Sequence, residues 1–170
     1  MSALSGPAVL PSPFSRWAVY AHKDDTGFGR QASDVRAVLG FGQHLVIPSE
    51  RLIDHPVDGL SEQWLPADAE IDSIQLLLSG LDGILFFERH AWHPQILRIA
   101  RGMGVVTVCV PNWEWFNGHA PEWQYCDLFV CPSRFTEKIV RSYGFTNTVN
   151  LPWPIDLSKL PNRQVSGPAR

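Results

Sequence analysis

The sequence predicts an α/β fold, a Rossmann-like parallel sheet with helices on both faces. Three observations carry that expectation. Short apolar runs alternate along the chain with segments whose apolar residues recur at helical spacing. One run, Gly83–Phe87 (GILFF), is continuously apolar, as expected for a strand buried on both faces, and another, Val105–Val110 (VVTVCV), is dense in β-branched residues. Glycines and prolines punctuate the boundaries, where they stop helices and turn the chain.

In order, Trp17–Ala21 (WAVYA) reads as the first strand. The loop HKDDTGFG follows, and then RQASDVRAVLGF, in which Ala32, Val35, Val38 and Leu39 mark a helical face. His44–Ile47 is a second strand, stopped by Pro48. The stretch 49–66 has no steady period and reads as loop with a helical turn at most. Asp68–Ser79 is a helix, with acidic residues in its first turn and Gly80 as its carboxyl-terminal cap. After the Gly83–Phe87 strand, Pro94 suits the first turn of a helix lined by Ile96, Leu97, Ile99 and Ala100, which Gly102 and Gly104 end. The β-branched run Val105–Val110 is the clearest strand. Asp127–Cys131 is another, and Ser133 is placed to cap a helix whose Phe135, Ile139, Val140 and Tyr143 share one face before Gly144. Asn147–Leu151 is the last strand. Residues 1–15 read as an amino-terminal arm, 16–156 as one domain and 157–170 as a linker or tail.

Composition narrows the function classes. At 170 residues, 45% hydrophobic and 18% charged, the chain has the balance of a single globular domain. It contains no apolar run of about 18 residues, so no transmembrane segment is expected, and the proline-broken start lacks the basic region of a signal peptide. A cytoplasmic location follows as the expectation. The net charge is −3 and no Lys/Arg cluster occurs, which argues against nucleic acid as a partner. Cys109, Cys126 and Cys131 lie in or beside strands rather than in metal-binding pairs and read as free buried thiols.

In parallel α/β sheets ligands bind beyond the carboxyl ends of the strands. HKDDTGFGR, PSER, ERHAWH, PNWEWF and PSRF should therefore share one rim. Gly27–Ala32 fits G-x-G-x-x-A, with Glu50 about 20 residues on, as a dinucleotide fingerprint would require. Five residues, His22 to Thr26, separate that motif from the strand, whereas pyrophosphate binding needs a tight turn. An NAD-dependent oxidoreductase is accordingly the lesser alternative, and a loop offering backbone N–H groups and Arg30 to a phosphorylated ligand is a middle reading. Glu88, His90 and His93 make too sparse a set for a metal, and a ring of polar groups at the mouth of a cleft, or helix capping by His93, fits better. In VPNWEWF, Glu114 stands between Trp113 and Trp115. Aromatic faces hold sugar rings, and a carboxylate can hydrogen-bond their hydroxyls or act as a base in a dry site.

The carboxyl half, Tyr125–Asp156 (YCDLFVCPSRFTEKIVRSYGFTNTVNLPWPID), resembles the segment that closes the N-terminal domain of GT-B glycosyltransferases of the glycogen-synthase and mannosyltransferase type. Asp127, Ser133, Gly144, Pro152 and Asp156 match its pattern, although Trp153-Pro154-Ile155 replaces the usual glycine-hydrophobic pair. Thr26–Arg30 is similar to the family's glycine-containing loop, and Asp82–His90 to its aspartate-strand-histidine segment. Val105–Glu114 occupies the place of a strand that often ends in a His-Asp pair; here Asn112 and Glu114 stand instead. The resemblance implies a glycosyltransferase moving a sugar from a nucleotide-sugar to an acceptor hydroxyl, with no further cofactor. This chain would supply the acceptor-side domain, with a separate donor-binding domain or subunit as its partner. It implies Glu114 as catalytic residue, and Gly27, Gly29, Arg30, Glu88, His90, Asn112, Trp113 and Ser133 as substrate contacts. A non-catalytic carbohydrate-binding or scaffold domain is the alternative.

Overall fold

A computed structural model describes residues 12–24, 27–48, 61–87 and 93–152. Seven parallel strands form one sheet: β1 (Trp17–His22), β2 (Gln43–Ile47), β3 (Glu62–Trp64), β4 (Gly83–Phe87), β5 (Val106–Val110), β6 (Leu128–Cys131) and β7 (Thr148–Asn150). Their order is β3-β2-β1-β4-β5-β6-β7. The chain thus works outward from β1 in one direction, returns to β4 beside β1, and works outward in the other. That reversal is the doubly wound, Rossmann-like arrangement, and the α/β expectation holds. Four helices accompany the strands: α1 (Gly27–Leu39), α2 (Ile71–Leu78), α3 (Ile96–Gly102) and α4 (Arg134–Ser142). A 3₁₀ turn spans Pro121–Tyr125.

Side chains alternate between two apolar layers, as the two-residue period of strands dictates. Val19, Ala21, Leu85, Phe87, Val108 and Val110 face α1, which contributes Ala32 and Val35. Ala18, Tyr20, Ile84, Phe86, Cys109 and Phe129 face the other way. There they meet Ile74 and Leu78 of α2, Leu97 and Ala100 of α3, and Val140 of α4. Helices therefore cover both faces, unequally. Gly80 and Gly144 end α2 and α4 with φ of +82° and +94°, the left-handed caps their positions suggested.

β3 departs from the expectation of a loop over 49–66. It is a three-residue edge strand whose Glu62 is buried yet polar, so no apolar run announces it. Glu62 is accommodated because two cations meet it: Lys23, just past β1, at 2.5 Å, and Arg36 of α1 at 3.0 Å. Those ion pairs tie the edge of the sheet to the root of the loop that precedes α1.

Candidate functional site

The reversal of strand order lies between β1 and β4, and the crevice at their carboxyl ends is where sheets of this kind take ligands. β1 extends to His22, one residue further than its sequence pattern implied. Only residues 23–26 then precede α1, whose first turn contains Gly27 and Gly29. The glycines are thus helical rather than part of a tight turn. Gly27 is exposed, with open space where a side chain would stand. Gly29 is different: a Cβ there would fall 2.1 Å from the main-chain oxygen of Asp24, so its lack of a side chain serves the packing of this loop. Arg30 is exposed beside them. The helix end offers partial positive charge at the rim, and Arg30 adds a full one.

At the end of β5 the aromatic segment divides. Trp113, Glu114 and Trp115 are all exposed, the two indoles by 46% and 58%, while Phe116 and Trp123 turn into the core. Trp123 packs 5.3 Å from Phe116 and 5.6 Å from Phe129, ring centre to ring centre, and its Nε1–H donates to the Asn117 carbonyl at 2.9 Å. Half-buried Asn112 accepts the Trp115 N–H through its main-chain oxygen at 3.1 Å, which shapes the turn. Glu114 stands in solvent rather than in a dry pocket.

Phe135 does not join the core face assigned to it by helical spacing. It is 54% exposed and meets Trp113 edge to face, 5.3 Å between centres. Tyr143, at the other end of α4, sits 5.1 Å from the ring of His119 and directly over Gly118, where a Cβ would penetrate the phenol ring. The loop is thus clamped to α4 at both ends. Sequence reasoning missed this because Phe135 and Tyr143 have the spacing of a core stripe while the surface they cover belongs to a loop rather than to the sheet.

Ser133 is the N-cap of α4: its Oγ accepts the Thr136 N–H at 3.1 Å. Replacing it with alanine leaves that donor unpaired, and we expect a loss of about 1 kcal/mol, read as a lowered urea midpoint with unchanged slope. Asp127, matched in the family pattern, lies at the opposite, amino-terminal end of β6. It accepts the Thr107 N–H at 2.8 Å and joins β6 to β5, which is structural work.

Glu88 and His90 lie outside the described residues. His93, just after them, is buried and engaged on three sides. Its Nδ1 accepts the Gln95 N–H at 3.2 Å, its N–H reaches the Tyr20 hydroxyl at 3.3 Å, and its ring bonds the backbone of Ala69. Loss of water around the ring lowers its pKa, against the raising effects of the Ala69 bond and of Asp68. Capping near α3 is therefore its visible role. Tyr20 donates to the Leu65 carbonyl at 3.0 Å, and burial pushes its phenol up to about 12. Cys109, Cys126 and Cys131 are free and buried. Burial, chiefly, pushes the Cys126 and Cys131 thiols up to about 12 and 11, so neither is poised as a nucleophile.

No family model matches this chain, and no curated protein matches it at a significant level. Among the described residues, no helix is long and apolar enough to cross a membrane.

Proposed function

We propose that this chain is the acceptor-side domain of a GT-B type glycosyltransferase, which binds a hydroxylated acceptor while a nucleotide-sugar is presented from a second domain or subunit. The observation that carries this reading is the exposed Trp113–Glu114–Trp115 segment at the carboxyl end of β5, held against Phe135. Aromatic rings left in water at a ligand rim, beside a carboxylate and an amide, make a surface suited to a sugar: its C–H face stacks and its hydroxyls find acceptors. In this reading Trp113 and Phe135 form the platform, while Glu114 and Asn112 receive hydroxyls. Gly27 and Arg30, at the start of α1, approach the donor's diphosphate, with Gly29 shaping that turn. Glu88, His90 and Ser133 complete the candidate contacts. The transfer itself depends on stabilising the leaving diphosphate and orienting the acceptor oxygen.

The test is turnover of a nucleotide-sugar and a saccharide acceptor in the presence of a donor-binding domain, followed by release of nucleoside diphosphate. Glu114→Gln is expected to lower turnover by roughly 10²–10⁴-fold, the usual contribution of a proton-transferring side chain. Unchanged turnover would leave Glu114 a binding residue only. The exposure of Glu114 favours a second reading, a carbohydrate-binding domain without catalysis. Saccharide binding with neither nucleotide-sugar binding nor turnover would select it.

A further inference from the structure

At the reversal between β1 and β4, the residue that opens the HKDDTGFGR loop, given no role above, has the chemistry of a ligand contact. The register pairs Tyr20 with Phe86, so Ala21 stands level with Phe87, the last residue of β4, and His22 reaches one position beyond. Its ring is partly exposed, and Nδ1 lies 3.3 Å from the carbonyl oxygen of Ile47 at the end of β2. A carbonyl oxygen only accepts, so Nδ1 carries the proton of that bond. In the neutral imidazole Nε2 is then a lone-pair acceptor held in a fixed orientation.

We propose that His22 is a binding residue for a ligand hydroxyl, which donates its hydrogen bond to Nε2. A lone pair selects O–H donors over the proton-poor oxygens of a phosphate, so this side of the crevice recognises the hydroxylated partner rather than the diphosphate. β4 separates β1 from β5, which places His22 two strand spacings, about 10 Å, from the root of the Trp113 loop. A saccharide lying across the end of β4 would meet the aromatic platform at one end and His22 at the other. The inference rests on the proposed saccharide site and adds its second wall.

The experiment uses the whole chain with maltotriose and α-mannotriose as probes, and uridine as the arm that represents a nucleotide's ribose. Saccharide binding is read from tryptophan fluorescence and the state of His22 from imidazole ¹⁵N resonances. A saccharide is expected to change the fluorescence and to move the His22 Nε2 resonance. His22→Leu should weaken its binding about 5–10-fold, the worth of one hydrogen bond, while His22→Gln, which keeps an acceptor oxygen, should hold most of the affinity. Fluorescence that responds while Nε2 stays still, or Leu and Gln variants that lose affinity equally, overturns the role of His22 and leaves the aromatic site standing. Response to neither saccharide overturns both, and an Nε2 shift with uridine alone overturns the assignment to the saccharide side. Should His22→Leu fail to fold, the resonances of the unaltered chain decide.

Discussion

Replacing Trp123 with alanine is expected to cost about 3–5 kcal/mol, enough to leave a domain of ordinary stability marginal or unfolded. The indole is 2% exposed and lies between Phe116 and Phe129, and its N–H is satisfied by Asn117. Truncation opens a cavity in the middle of that aromatic stack and removes the indole's bond to Asn117, whose carbonyl keeps the Ala120 N–H at 3.1 Å. Trp113→Ala should behave oppositely, changing stability by about 1 kcal/mol or less, since its ring is 46% exposed and meets Phe135 on the surface of α4. Urea unfolding of the two variants measures the division directly. Equal losses would mean that Trp113 is a structural residue and that the platform has no surface to offer a ligand.

Acid should destabilise the chain well before its carboxylates titrate. His44 of β2 is buried, its Nε2 lies 3.2 Å from the Ala21 carbonyl, and its pKa is lowered to about 4. Burial is the main cause; Arg36 and Lys23 lower it further, while the Ala21 bond and Glu62 oppose the shift. The unfolded chain takes up the histidine proton near pH 6.5 and the folded chain only near 4, so between those values the unfolded state binds more protons. Stability is therefore full above pH 6.5 and falls as the pH drops toward 4, by up to about 3 kcal/mol from His44 alone. His93, shifted in the same direction, adds to the slope. Unfolding in urea at a series of pH values checks this, and His44→Gln should flatten the curve. An unchanged slope in that variant would assign the acid sensitivity to other groups.

Among the described residues, six of the seven strands and all four helices were legible in the sequence, each because one physical signal dominated. GILFF is buried throughout and VVTVCV in all but Val106, and Ser133 and Gly144 bracket α4 as caps. What stayed hidden depended on partners far away in the chain. β3 owes its place to a buried glutamate whose cations come from a loop and a helix 39 and 26 residues earlier, and no local period encodes that. The candidate site could be placed in the sequence at a rim, from the rule that ligands gather at strand ends, and at an aromatic segment whose Trp113 and Trp115 are exposed. It was not legible which tryptophan faces inward, because Trp113, Trp115 and Trp123 are chemically alike and only the packing of Phe116 and Phe129 separates them. His22 could be placed in a rim loop but given no role for a related reason: the orientation of its ring depends on the Ile47 carbonyl at the end of the neighbouring strand.

The position of β1 inside the sheet, between β2 and β4, also shapes how the chain must be made. Its partner β4 is synthesised long after it, Trp17 pairing with Gly83, so a ribosome completes α1, β2 and β3 while one side of β1 still lacks its neighbour. A nascent chain of that length presents an unpaired strand edge lined by the fully buried residues Ala18, Val19 and Tyr20. Such an edge is a template for intermolecular pairing. Truncations that end before Gly83 should accordingly collect in insoluble material, and the yield of native protein should depend on how quickly translation delivers β4.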